Sequence, residues 1–177
     1  VRADVNHTLS SKWSLGYGVK YSYSDMSSDF GYYTSSDDIG WHYDIRYSDD
    51  YRYKEGIAAG YATASGRMGR FSLTAGLRVE NTDIRPRSLH ENESYHRNYT
   101  DLFPSASFSY VMDKQGKYMA ALNYRRSISR PSFGILNPKR TPIDNVTYAV
   151  GNPYLSASYA ENVALNFTLD GKYTLGV

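Results

Sequence analysis

Apolar and polar residues alternate one by one along this chain, most cleanly over residues 13–25. There Trp13, Leu15, Tyr17, Val19, Tyr21 and Tyr23 share one parity, and Ser14, Gly16, Gly18, Lys20, Ser22 and Ser24 the other. A period of two sends successive side chains to opposite faces of a β-strand. The same pattern predicts strands over residues 2–9, 51–64, 70–83, 99–112, 117–129 and 159–169, and the start of another after Lys172. In 70–83 the apolar parity holds Phe71, Leu73, Ala75, Leu77 and Val79, and in 159–169 it holds Val163, Leu165, Phe167 and Leu169. In 51–64 the larger residues Ile57, Ala59 and Tyr61 are set against Gly56, Ala58, Gly60 and Ala62, so the apolar parity there includes Glu55. Pro104 cannot donate to a ladder and is expected at a bulge or rim.

The connections alternate in length. Tight turns are expected at 10–12, 65–69, 113–116 and 170–172, and long loops at about 26–50, 84–98 and 130–158. The expected fold class is therefore all-β, an antiparallel meander of about eight long strands with every long loop at one end. That is the plan of a transmembrane β-barrel, here part of a larger one. Charges agree with a membrane: Arg2, Asp4, Lys20, Arg78, Glu80 and Arg125 take the polar parity, whereas Glu55, Arg126 and Glu161 have the apolar parity near the loop ends. A lipid-facing charge costs roughly 2–4 kcal/mol at mid-bilayer and about 0–1 near the interface.

The rival is a soluble β-sandwich or small β-barrel ligand-binding module that uses loop aromatics, with Trp13 to Tyr23 buried under a second sheet. Strands of about 12 residues are long for a sandwich. A closed eight-stranded barrel needs side chains to fill its interior, and the polar parity is mostly Ser, Gly, Ala, Asn and Thr.

Composition narrows the chemistry. The 177 residues include no Cys, so disulfides and thiolate metal sites are excluded, and a net charge of +2 with 18 acidic residues provides no electrostatic footprint for nucleic acid. No apolar run reaches the roughly 20 residues of a membrane helix, but mean hydropathy does not test for a barrel. The 130–158 loop is punctuated by Pro131, Pro138, Pro142 and Pro153 and carries Phe133, Ile135, Leu136, Val146, Tyr148 and Val150. It is expected to be ordered.

Candidate ligands are few. His90, Glu91, Glu93 and His96 share one polar loop without a metal-ligand spacing, and Asp37, Asp38, Asp49 and Asp50 read as solvated acids. Tyr32, Tyr33, Trp41 and Tyr43 are the candidate ligand contacts, able to stack on a sugar or peptide at the loop end. No nucleophile, acid/base pair or phosphate loop stands out, so no enzyme, cofactor or metal is expected.

Several segments taken together resemble the C-terminal barrel of TonB-dependent outer-membrane receptors, particularly the type common among Bacteroides-like bacteria. They are Gly76-Leu77-Arg78-Val79-Glu80, Tyr99-Thr100-Asp101-Leu102-Phe103-Pro104-Ser105, Tyr124 to Pro131, Leu136-Asn137-Pro138 and Gly151-Asn152-Pro153-Tyr154-Leu155. The family usually follows its G-N-P-x-L with Pro-Glu, where this chain has Ala157-Ser158. The resemblance implies a barrel of about 22 strands with a plug, in the bacterial outer membrane, that takes up a nutrient such as a glycan, peptide or metal chelate. It implies three partners: outer-membrane lipid, an energy-coupling inner-membrane protein and a surface lipoprotein. Only part of such a barrel is expected here, without plug or remaining strands, and Arg130, Pro131, Asn137, Pro138, Gly151, Asn152 and Pro153 are expected to be structural motif residues.

Overall fold

The chain is described from a computed structural model, which covers residues 1–36, 40–88, 93–144 and 146–177. Eight strands form one antiparallel sheet in chain order: β1 Arg2–Thr8, β2 Trp13–Phe30, β5 Asp49–Met68, β6 Phe71–Ser88, β8 Arg97–Val111, β9 Met119–Ser129, β12 Ser158–Leu169 and β13 Tyr173–Gly176. Two hairpins stand apart in the long loops, β3 Tyr33–Ser36 with β4 Gly40–Tyr43 and β10 Arg140–Pro142 with β11 Tyr148–Val150, while the short β7 Glu93–Ser94 pairs with β6. The only helix among the described residues is one turn, α1 Phe133–Leu136.

Cross-strand registers settle which residues share a face, because paired residues point the same way. Rows such as Leu15–Ala64–Ala75–Ala106–Tyr124–Val163 and Trp13–Gly66–Leu73–Phe108–Leu122–Leu165 run across the sheet on the apolar face. That face has no second sheet over it: Tyr17, Val19, Tyr21 and Tyr23 are each about half exposed, which overturns the sandwich alternative. The small closed barrel fails as well, since β1 and β13 sit at the two edges of the sheet and do not pair.

One face assignment is corrected. The register sets Tyr23 opposite Gly56, Tyr21 opposite Ala58, Val19 opposite Gly60 and Tyr17 opposite Ala62. The small residues of β5 thus share the aromatic face, and Glu55, Ile57, Ala59 and Tyr61 share the polar one. Steric room explains it: a Cβ on Gly66 would lie 2.4 Å from the Trp13 ring. Large rings on β2 require small neighbours on β5, so size rather than hydropathy decides that strand's parity.

Loop boundaries also move. β2 continues to Phe30, β5 starts at Asp49 and β6 reaches Ser88, so the connections are 31–48 and 89–96 rather than 26–50 and 84–98. The apolar face spans Phe71 to Val79 on β6 and then turns polar at Asn81, Asp83, Arg85 and Arg87. About nine residues rising roughly 3.3 Å each at a tilt of 35–45° span about 23 Å, close to the ~25 Å apolar band of an outer-membrane barrel. Above that band the strands carry on as an extended wall with polar residues outside. That is why their sequence reads as loop.

Pro104 lies mid-strand. Its pairing with Leu77 of β6 is intact, whereas the β8–β9 ladder stops at Ser105↔Arg125 although both strands continue. Val111 donates to Arg70 on the β6 side and Met112 to Tyr118 on the β9 side. By alternation the even-numbered amides of β8 face β9, and the one missing at 104 is the one that would continue the ladder.

Candidate functional site

The polar face of the sheet is covered near the loop end by residues 130–157, and the residues that hold this loop define the candidate site. Phe133 and Leu136 on α1 pack against Tyr51, Tyr53 and Ile84, with ring centroids 5.2 Å from Phe133 to Tyr51 and 6.0 Å to Tyr53. Among the described residues Tyr51, Tyr53 and Leu136 are the best-buried apolar side chains, Tyr51 fully and Leu136 with 4% exposed, while Phe133 is partly buried against them. Ile135, Val146, Tyr148 and Val150 stay exposed, so of the six apolar residues expected to order the loop, Phe133 and Leu136 do so.

Polar contacts then fix its position. Arg130 Nη2 donates to Glu80 Oε2 at 2.6 Å and to Thr82 Oγ1 at 3.1 Å, reaching from the end of β9 past β8 to β6. Arg78 Nε donates to the other oxygen of the same carboxylate at 2.5 Å. Asn137 Nδ2 donates to Asp49 Oδ2 at 2.9 Å, and Ser88 donates to Asp49 Oδ1 at 3.3 Å. Lys139 lies 3.2 Å above the Phe30 ring. On the far side Arg97 donates to the Leu155 carbonyl at 2.7 Å and to Ser156 Oγ at 3.2 Å.

The short motifs meet one another here. Asn152 donates its amide to the Ile135 carbonyl at 2.8 Å, and Asn137 Oδ1 accepts the Lys139 amide at 2.9 Å across Pro138. Gly151 passes so close that a Cβ would lie 2.1 Å from the Asn137 carbonyl oxygen. Pro153 is buried, and Pro131 follows the Arg130 anchor. Residues separated by more than a dozen positions thus form one interlocked turn.

The candidate ligand aromatics divide. Tyr33, Trp41 and Tyr43 lie on one face of the β3–β4 hairpin, since Tyr33 pairs with Tyr43 and Ser35 with Trp41. Trp41 is 75% exposed, and the Tyr33 and Tyr43 rings meet edge-on at 5.6 Å. Tyr32 turns away to the Tyr47 ring at 5.3 Å. The hairpin base is held by Asp44, which accepts from Arg46 at 2.6 Å, and by Ser48, which donates to the Asp44 carbonyl and accepts from the Tyr32 amide. The Arg46 guanidinium holds the Asp44 carboxyl below the usual carboxylate range.

No metal site assembles among the described residues. His96 instead bonds Asp83 at 2.8 Å, while His90, Glu91, Asp37, Asp38 and the Glu93 side chain lie outside the described residues. Asp49 and Asp50 point to opposite faces, Asp49 to the loop and Asp50 toward Arg52 at 3.9 Å. Sequence reasoning missed Thr82, Arg97, Tyr51 and Tyr53 as anchors. For Tyr51 and Tyr53 the signal was present as Tyr at two successive positions of one parity at the start of the expected strand 51–64.

A meander of long antiparallel strands with an uncovered apolar belt, short turns at one end and long loops at the other defines a membrane β-barrel wall. The chain belongs to the outer membrane protein β-barrel family, whose model matches residues 1–177, and it resides in the bacterial outer membrane. No match was found among curated proteins or among solved structures.

Proposed function

We propose that the chain forms part of the barrel wall of a TonB-dependent receptor, which takes up a glycan, peptide or metal chelate across the outer membrane. The observation that carries this reading is the loop 130–157, folded onto the polar face and held by Arg130, Asn137 and Arg97. A gated receptor needs its lumen obstructed by ordered structure, and a simple pore needs it clear. The unpaired edges of β1 and β13 support a larger barrel, because open sheet edges do not persist in lipid. In this reading the belt contacts outer-membrane lipid and the exposed Tyr33, Trp41 and Tyr43 meet substrate or a surface lipoprotein. Transport draws energy from an inner-membrane coupling protein.

Growth on single glycans, peptides and iron chelates tests the proposal, comparing the parent strain with strains lacking this gene or the energy-coupling protein. The same nutrient defect is expected in both deletions. A nutrient lost only with this gene and still taken up without the coupling protein would point to a passive channel.

A further inference from the structure

The outer face of the wall carries a block of cations above the lipid-facing belt. Arg52 is the cross-strand partner of Arg87, and Lys54 that of Arg85. Paired residues point the same way, and like charges set directly opposite destabilise a sheet. Folding therefore does not account for the block. Its four exposed side chains, with His96, line one cavity of about 350 Å³, and no carboxylate of the described residues lines it with them. Carboxylates stand beside it: Asp25 lies 3.5 Å from Lys54, Asp50 3.9 Å from Arg52 and Asp83 2.7 Å from Arg85, whereas Arg87 has no ion pair among the described residues. Such solvent-exposed pairs contribute little, so they do not compete strongly with a better anion.

Two more cavities continue the first one downward. The next, of about 530 Å³, shares Lys54 and Arg85 with it and reaches the top of the belt. Its floor is low because β5 presents Gly56 between Tyr23 and Asp83, and Ala58 between Tyr21 and Asn81. The two tyrosines are about half exposed, and across the floor Asn98 bonds Asn81 at 3.1 Å and Asp83 at 3.4 Å. Rings on one side and amides on the other suit a sugar, whose apolar face stacks while its hydroxyls find polar partners. The lowest cavity is an apolar groove of about 460 Å³ that shares Tyr21, Ala58 and Asn81 and runs between Val19 and Val79 over Gly60. A Cβ on Gly60 would meet nothing within 4 Å.

We propose that this outer track binds a glycolipid with a phosphorylated sugar headgroup, drawn from the outer leaflet. An acyl chain lies over Gly60, the sugar rests on Tyr21 and Tyr23, and the phosphate enters the block of Arg52, Lys54, Arg85 and Arg87. Arginine suits a phosphate because it can donate two parallel hydrogen bonds. Height argues for a sugar-bearing head over a plain phospholipid. Arg85 and Arg87 follow Asn81, where the belt ends, by four and six residues. At a rise of roughly 3.3 Å and a tilt of 35–45° they lie about 10 and 15 Å above the hydrocarbon, whereas a phospholipid headgroup layer is about 5–7 Å deep. The long loops mark this end of the strands as extracellular. The inference rests on the membrane-barrel fold and is independent of what the barrel transports.

Native mass spectrometry of the natural protein in maltoside micelles tests it. The probes are bisphosphorylated lipid A, the same lipid without its phosphates, dioleoyl phosphatidylglycerol and glucosamine 1-phosphate. Lipid A should be retained at about tenfold lower concentration than each of the other three. R85Q/R87Q should erase that preference, and K20Q/R125Q, which removes the same charge from the polar face, should keep it. Equal retention of any other probe, an unchanged preference in R85Q/R87Q or an equal loss in K20Q/R125Q would overturn the assignment. Tyr23→Ser checks the sugar contact: retention of lipid A should fall severalfold while that of phosphatidylglycerol stays the same. Equal losses of the two lipids would show a charged patch that reads no sugar.

Discussion

Glu80 shows how one side chain joins the wall to its loop. It is 10% exposed and shared by Arg78 and Arg130, so removing it leaves two guanidiniums without their counter-charge. Glu80→Ala should cost about 2 kcal/mol, between the values for exposed and fully buried pairs, because Arg78 and Arg130 keep some solvent. Arg85→Ala, which breaks an exposed pair with Asp83, should change stability by less than about 1 kcal/mol. Denaturant midpoints of the two variants of the natural protein decide between them. Gly151 is the other residue on which the loop turns. Gly151→Ala should cost about 1–3 kcal/mol by overpacking, and limited proteolysis should show the damage confined to residues 130–157.

At the scale of elements, the two large loops are stabilised in different ways. Residues 130–157 bury Phe133 and Leu136 against the wall, whereas the 31–48 loop depends on the polar base around Asp44 and Ser48. Among its described residues the second loop has no such apolar anchor, and its base responds to acid through Asp44. The Asp44 carboxyl is held low in the folded state by Arg46, so its contribution is complete above the unfolded carboxylate pKa of about 3.9. It is lost as pH falls through the lower folded value. Amide exchange across 31–48 should therefore rise in acid below about pH 3.9. In Asp44→Asn that rise should be absent; a rise of the same size in the variant would assign the transition to another group.

For the whole molecule, the decisive property is the boundary between the apolar belt and the polar wall above it. Leu77 lies inside the belt, and Thr100 is in the row of Asn81 on the same face. Leu77→Arg should lower folding stability in bilayers by about 2–4 kcal/mol and Thr100→Arg by about 0–1. Refolding titrations into lipid vesicles would measure both, and equal costs would mean the belt does not meet hydrocarbon. Strands twice as long as the belt also place the Tyr51–Leu136 cluster beyond the bilayer, where an ordinary water-driven core can form. The upper wall thus behaves as a soluble structure built on a membrane one.

Parity along the chain determined the strand order, the alternation of short turns and long loops, and the belt of Trp13 to Tyr23 and Phe71 to Val79, because a period of two is a local property. The spacing of R-P, L-N-P and G-N-P was legible too, although their purpose was not. Three things waited for the tertiary structure. The faces of β5 depended on rings from β2, and the true strand ends depended on ladders that continue through polar sequence. The loop anchors depended on Arg130, Asn137 and Arg97 reaching Glu80, Asp49 and Leu155, partners 50, 88 and 58 positions away in the chain. Local alternation cannot encode such distances, since only folding brings those groups within 3 Å of one another.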